Sequence, residues 1–139
     1  MKKLLVALLL ACSCAGAEVT DAEGMQISGV IGQMFVALQR NDAETLFALQ
    51  TEDTRHMYKS AGEFAAELKR CCMALHEAVN EVVMNITGAG PKVTAFVLMI
   101  DGDGDRWSAQ FILEKHATWQ IDEIHINLLD PDGVTEMGL

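Results

Sequence analysis

The first half of the chain repeats apolar residues at helical spacing. They recur every three or four residues at Ile27, Ile31, Met34 and Leu38. This spacing predicts one apolar helix face, on a helix that ends near Arg40. Asp42 can cap a second, shorter helix, and residues 51–58 predict one further helical turn or two.

A third helix is predicted from Ser60, which begins a capping box with Glu63. In this motif the Ser60 hydroxyl accepts the Glu63 N–H, and the Glu63 carboxylate reaches back to the Ser60 N–H. The apolar stripe that follows contains Phe64, Leu68, Cys72 and Leu75. Its spacing predicts an uninterrupted helix as far as His76.

Beyond His76 the period of the pattern changes from helical spacing to alternation, which is typical of strands. The predicted strands are a first one around Val82–Ile86, then Lys92–Ile100, Trp107–Lys115 and Trp119–Leu128. The alternation slips at Asp122 and Glu123, which predicts a bulge there. Residues 93–100 are apolar at almost every position, so we expect both sheet faces to be covered, the second by a partner chain or by packing at a closed end. The fold class is therefore α+β, with three N-terminal helices packed on a curved four-stranded antiparallel sheet.

The N-terminus has the pattern of a secretory signal peptide. Lys2 and Lys3 precede an apolar run, and residues 15–17 form an A-x-A cleavage pattern. Cleavage between Ala17 and Glu18 predicts a periplasmic or secreted protein. The alternative is a lipoprotein anchored through Cys12, which follows Leu-Leu-Ala.

The predicted organisation is a signal peptide at 1–17, a flexible stretch at 18–24, one domain at 25–129 and an acidic tail at 130–139. No stretch is long enough to predict an integral membrane segment. The formal charge of the chain is −10. Loss of Lys2 and Lys3 would make it about −12, and so acidic a surface with scattered cations argues against nucleic-acid binding.

Two groups of residues suggest metal ligands, and each has a simpler explanation. Residues 101–105 read Asp-Gly-Asp-Gly-Asp, like the start of a calcium loop, but Arg106 and Ile112 replace the glycine and glutamate that such a loop needs. A hairpin turn is the better interpretation. Residues 71–76 contain two cysteines, a methionine and His76, yet Cys72 belongs to the apolar stripe of the third helix. We therefore predict neither a metal site nor a cofactor.

Cys71 and Cys72 are expected to be structural thiols. Cys12 and Cys14 would leave with the signal peptide, so only this adjacent pair remains. Neighbouring Cα atoms lie about 3.8 Å apart, below the usual range for a disulfide, and a continuous helix would not allow the pair to close.

The order of elements and several local motifs together resemble a known superfamily. The helical residues that carry the resemblance are Val30-Ile31-x-Gln33, Ala37, Asp42, Phe47-Ala48, Arg55-x-Met57, Phe64 and Leu68. Those on the strands are Arg106-Trp107, Phe111-x-Leu113-Glu114 and Trp119-x-Ile121. The chain resembles, over about residues 25–127, the cystatin-like roll of the nuclear transport factor 2-like superfamily. Within it, the chain is similar to an exported bacterial branch classed as domain of unknown function 4864.

This resemblance implies a pocket between the third helix and the concave sheet. Relatives similar to ketosteroid isomerase and polyketide cyclases place an Asp or His base and a Tyr donor in it. This chain offers Tyr58, His56, His76, Asp122 and His125, of which Tyr58, His76 and Asp122 are the pocket candidates. Members of the branch often carry a Tyr where this chain has residues 71–73, and no catalytic residue is carried over.

Two functions of different class follow. The first is a non-enzymatic module that binds a small apolar ligand in its pocket or a protein partner on its sheet face, including a homodimer through that face. The second is a small pocket enzyme, isomerase-like or cyclase-like, doing acid–base chemistry on a carbonyl compound. A carboxylate or histidine projecting into a closed apolar cavity would favour the enzyme.

Overall fold

The computed structural model describes residues 19–129, which form five helices followed by four strands. The helices are α1 (Asp21–Gln39), α2 (Ala43–Ala48), α3 (Glu52–His56), α4 (Ala61–Cys71) and α5 (Met73–Glu77). The strands are β1 (Ala78–Ala89), β2 (Lys92–Asp101), β3 (Arg106–Lys115) and β4 (Trp119–Leu129). The predicted α+β fold is confirmed. The predicted signal peptide and the predicted acidic tail lie outside the described residues.

Hydroxyl and carboxylate side chains fix where the first four helices begin. The side chains of Thr20, Asp42, Thr51 and Ser60 each accept a backbone N–H three residues further on. The Thr20 cap starts α1 at Asp21, so the first turn of this helix occupies residues 21–24 of the stretch expected to be flexible. The Glu63 carboxylate accepts the N–H of Lys59 and not that of Ser60, so the predicted capping box forms only in part.

The predicted third helix is interrupted. Its N-terminal part is α4, which ends at Cys71, and α5 begins again at Met73. Cys72 between them has φ −136° and ψ 47°, outside the helical region. The prediction of a continuous helix through His76 is therefore wrong. The reason for the break lies in the site described below.

The strands pair in chain order as an antiparallel meander, β1-β2-β3-β4. Gly88 closes the first hairpin at φ 120°, where a Cβ atom would lie 2.9 Å from the Lys92 carbonyl oxygen. β1 contains two register shifts against β2, which leave Val79 and Met84 as extra residues with exposed side chains. In β4 the register shifts once, so that Ile112 faces Glu123 while Leu113 faces Ile121. The predicted bulge is therefore confirmed, with Asp122 as the extra residue.

The core lies between α1 and the inner face of the sheet. It is formed by Ile27, Ile31, Met34, Phe35 and Leu38 of α1 and by Val93, Ala95, Val97, Met99, Ala109, Phe111 and Leu113 of β2 and β3. Phe35 meets Phe111 edge to face, with 6.2 Å between the ring centroids. The outer side chains of β2 are only half-buried among the described residues: Thr94, Phe96, Leu98 and Ile100. The expected cover on that second face is therefore incomplete within this part of the chain.

Candidate functional site

At the bulge in β4, the segment that joins α2 to α3 forms hydrogen bonds with the sheet. Leu49 accepts the N–H of Ile121 at 2.8 Å, and Thr51 donates its N–H to the Ile121 carbonyl at 2.9 Å. The extra residue turns Asp122 toward α3, since a bulge re-aims one side chain of a strand. Thr51 donates its hydroxyl to Asp122 Oδ1 at 2.9 Å, and Thr54 donates its own to the Asp122 carbonyl at 3.1 Å.

Next to this junction, α3, α4 and β4 border a partly open pocket of about 350 Å³. Its apolar wall consists of Met57, Tyr58, Phe64, Leu68, Ile124 and the side chains of Cys71 and Cys72. Its polar wall consists of Gln50, Asp53, Thr54, Asp122 and Glu123. We call this space the α4 pocket.

Aromatic packing shapes the inner end of the α4 pocket. The Tyr58 ring meets the Phe64 ring edge to face at 5.2 Å, and Phe64 lies 5.7 Å from the ring of Phe47. Phe64 and Leu68 are each 5% exposed, so one side of both belongs to the core. The wall on the α4 side is therefore formed by core side chains, while Met57 at the rim is 74% exposed.

The structure brings two of the three candidate pocket residues together. Tyr58 and Asp122 both line the α4 pocket, whereas His76, on α5, is not among the described residues that line it. Burial lowers the pKa of His76 below its ordinary value, and the positive charge of Lys69 lowers it further. His56 and His125 lie on the surface, where they contact Glu52 at 3.6 Å and Glu123 at 3.0 Å.

Asp122 is half-buried and both of its carboxylate oxygens have contacts. Oδ1 accepts the Thr51 hydroxyl, and Oδ2 lies 3.9 Å from the Lys92 ammonium nitrogen. A carboxylate placed in this way orients the bulge and presents negative charge at the pocket's polar wall. It differs from a lone base held in an apolar cavity, which is the arrangement that would favour acid–base catalysis.

Cys71 and Cys72 form a disulfide, which corrects the expectation of two free thiols. The expected obstacle was a helical backbone through both residues. Since α4 ends at Cys71 and Cys72 leaves the helical region, that obstacle is absent. Sulfurs joined in this way offer no thiolate to a metal, so the set at residues 71–76 has lost its best ligands.

The Asp-rich turn between β2 and β3 uses its buried carboxylate internally. The carboxylates of Asp101, Asp103 and Asp105 approach within 4.8 Å of one another. However, Asp101 Oδ1 accepts the N–H groups of Asp103 and Asp105, at 2.9 and 3.0 Å. The expected hairpin turn is present, and the buried member of the acidic group already has hydrogen-bond partners.

A second, larger space than the α4 pocket lies along the N-terminal half of α1 and the edge strand β1. It measures about 900 Å³ and includes Met25, Gly29 and Met84 in its lining. It is a shallow trough open to solvent, without the aromatic end wall of the α4 pocket.

Among the described residues, no helix is long and apolar enough to cross a membrane.

The fold is a cystatin-like α+β roll, and solved structures described as NTF2-like or cystatin-like share it. One is an NTF2-like protein of unknown function from Methylobacillus flagellatus, 17% identical, with a TM-score of 0.58 over 81% of this chain and 96% of that one. A cystatin-like protein of unknown function from Nostoc punctiforme is 14% identical, with a TM-score of 0.58 over 82% and 96%. An NTF-2 like protein of unknown function from Silicibacter pomeroyi is 14% identical, with a TM-score of 0.53 over 78% and 98%.

The sequence shows which family the chain belongs to. Residues 20–133 match the family described as Domain of unknown function (DUF4864), and the chain belongs to it. No curated protein matches the chain.

Proposed function

We propose that this domain is a non-enzymatic binding module that holds a small, largely apolar ligand in the α4 pocket. The observation that carries the proposal is the pocket's composition. One wall combines two aromatic rings, aliphatic side chains and a disulfide, and the opposite wall offers a few polar groups. Ligand sites in proteins have this division between an apolar body and a small number of orienting polar groups.

The size of the pocket and its charge restrict the class of ligand that it can hold. A volume of about 350 Å³ lies at the low end of small-molecule sites, so the ligand is about one or two rings in size. Asp53, Asp122 and Glu123 on the polar wall disfavour an anionic ligand. A neutral or cationic apolar compound fits best.

Binding of a neutral fluorescent dye, N-phenyl-naphthylamine, tests the proposal. We expect saturable binding that Tyr58→Ala weakens about tenfold, because the substitution removes most of one wall. Met25→Ala is the matched control, since Met25 lines the trough along α1. Weakening by Met25→Ala alone would move the site to that trough, and no saturable binding would overturn the proposal.

The acid–base enzyme is a second candidate because Tyr58 and Asp122 line the same pocket. A tyrosine donor and a carboxylate base could together exchange a proton next to a carbonyl group. The test is deuterium exchange at carbons adjacent to the carbonyl of small cyclic ketones, followed by NMR. Exchange that Tyr58→Phe and Asp122→Asn both abolish would favour the enzyme, and exchange no faster than in buffer would favour binding alone.

The outer face of the sheet supports a homodimer as the protein partner. Phe96, Leu98 and Ile100 form a row of half-buried apolar side chains on β2, and Ile112 continues it on β3. A second copy would cover this row by sheet-on-sheet packing. Light scattering of the purified protein should give the mass of a dimer, and Leu98→Glu should give that of a monomer. Met84→Glu, at an exposed position on the edge strand, should leave the dimer intact.

We propose as well that the chain is exported to the periplasm or the medium after cleavage between Ala17 and Glu18. The support is the sequence pattern of residues 1–17. Lipid attachment at Cys12 is the alternative, and the form of the mature N-terminus separates the two.

A further inference from the structure

The disulfide lies at the one point where the helical layer departs from its sequence pattern. Phe64, Leu68, Cys72 and Leu75 keep the spacing of a single helix face. The backbone nevertheless breaks at Cys72, where α4 ends and α5 begins. Leu75 donates its N–H to the Cys72 carbonyl, whereas in a continuous helix it would donate to the Cys71 carbonyl.

A disulfide between neighbours and a continuous helix exclude each other. Successive side chains of an α-helix point about 100° apart around its axis, so the sulfurs of residues i and i+1 diverge. Closing the ring therefore requires one residue of the pair to leave the helical region, and Cys72 does so. Opening the ring removes this requirement and leaves a sequence whose apolar stripe favours one helix over residues 61–77.

Nearby groups suit the opened form. Cys71 Sγ lies 3.7 Å from the Leu68 carbonyl oxygen, a distance at which a thiol donates a hydrogen bond. Cys71 is exposed, so a reductant can reach its sulfur, while Cys72 packs partly against the core. Lys69 in the last turn of α4 provides positive charge, which favours an attacking thiolate, whereas Arg70 is paired with Glu67.

We propose that Cys71 and Cys72 form a reversible two-electron switch that sets the continuity of the α4–α5 helix and, through it, the affinity of the α4 pocket. The coupling to affinity rests on the proposed binding function. The reductant is a dithiol. One of its thiolates attacks Cys71 Sγ, breaks the sulfur–sulfur bond and forms a mixed disulfide. Its second thiolate then releases Cys71, so that the pair gains two electrons and two protons while the dithiol leaves as a cyclic disulfide.

The switch reaches the ligand because both cysteines line the α4 pocket beside Leu68. With the ring closed, the two sulfurs form part of the apolar wall. In a continuous helix the Cys72 side chain follows the core stripe, while Cys71 is already helical and keeps its place, so the wall loses the Cys72 sulfur. The oxidised protein should therefore bind the ligand more tightly than the reduced protein.

The test compares the oxidised and dithiothreitol-reduced full chain, with Cys12→Ser and Cys14→Ser in every sample so that only the pair reacts. Intact mass after alkylation should show no label before reduction and two labels after it. Hydrogen exchange at the amides of residues 72–76 should slow on reduction, because a continuous helix protects them. N-phenyl-naphthylamine should bind about fivefold more weakly to the reduced protein.

The Cys71→Ser, Cys72→Ser double variant is the matched control. It should behave as the reduced protein does and should not respond to dithiothreitol. Cys72→Ala alone should do the same, which guards against a double variant that fails to fold.

Each failure has its own meaning. Two labels on protein kept under oxidising conditions, or exchange unchanged by reduction, would overturn the switch. Slower exchange with equal dye affinity would overturn its coupling to the pocket. Absence of dye binding in both states would contradict the proposed binding function, and the mass and exchange results would then decide the helix switch alone.

Discussion

Trp107 donates its indole N–H to the buried carboxylate of Asp101, with 3.0 Å between Nε1 and Oδ2. The other carboxylate oxygen accepts two backbone N–H groups of the same turn. The Asp101 carboxylate thus joins the backbone of the β2–β3 turn to the Trp107 ring at the start of β3. The hydrogen bond from Trp107 is the main reason that the pKa of Asp101 lies below its ordinary value.

Asp101→Asn should lower the urea midpoint of unfolding, because the amide replaces one acceptor oxygen by a donor that faces the same N–H groups. Asp103→Asn, in the same turn at an exposed position, should leave the midpoint nearly unchanged. The lowered pKa means that the carboxylate stabilises the fold above about pH 4 and ceases to do so as the pH falls through its folded value. The unfolding midpoints of the two variants should therefore converge in strong acid. Equal midpoints for the two variants at neutral pH would contradict this role of Asp101.

Phe64→Ala should reduce the free energy of unfolding by about 3–5 kcal/mol, and Leu68→Ala by about 2–5 kcal/mol. Both side chains are 5% exposed, and Phe64 also supports the Tyr58 ring. Val36→Ala is the control because Val36 lies on α1 and is 46% exposed. Denaturant titration measures all three, and a cost below that of the control would show that α4 does not bury this stripe.

Acid should destabilise the protein through His76 before the carboxylates titrate. Burial, with Lys69, lowers its folded pKa below the ordinary 6.5, so the unfolded chain takes up the proton first. The stability that neutral His76 contributes is fully present above pH 6.5, and it is lost as the pH drops from there toward the folded pKa of His76. Unfolding midpoints between about pH 7.5 and about pH 5.5 should fall less in His76→Gln than in the wild type.

His116→Gln serves as the control, since its side chain is 55% exposed. It should retain the wild-type slope of stability against pH. A wild-type slope in His76→Gln would mean that His76 is not held neutral by the fold.

The mature protein should begin at Glu18. N-terminal sequencing of protein from the periplasmic fraction or the medium checks this, and intact mass gives the same answer independently. A chain beginning at an acylated Cys12 in the membrane fraction would replace this assignment with the lipoprotein. Ala17→Arg should block the predicted cleavage and leave the precursor mass, because signal peptidase requires a small residue at that position.

The sequence predicted features that depend on local periodicity. The stripe from Ile27 to Leu38 gave α1 because its spacing matches one helix face. The bulge at Asp122 was foreseeable because a strand that changes parity must contain an extra residue. Each of these inferences needs only neighbouring residues along the chain.

The site depended on contacts that periodicity does not contain. Cys72 fits the α4 stripe in spacing and in character, so nothing in the pattern marked the break that its bond to Cys71 imposes. Tyr58 and Asp122 are far apart in sequence and line the same pocket because the β4 bulge turns Asp122 toward α3. His76 is a pocket candidate because the resemblance calls for a base in the pocket, and periodicity alone does not show that it lies on a separate α5 and outside the lining of the α4 pocket.

The two extra residues in β1 also change the edge that this strand presents to other molecules. An outer strand normally presents a regular row of N–H and C=O groups, on which another molecule can build a continuous sheet. The bulges at Val79 and Met84 interrupt that row twice and increase its local twist. Deleting both residues would restore an uninterrupted row of edge N–H and C=O groups. Val79 and Met84 are exposed hydrophobic residues that hydropathy alone would mark as a liability, yet as the extra residues of the two bulges they interrupt the edge on which a further strand could pair.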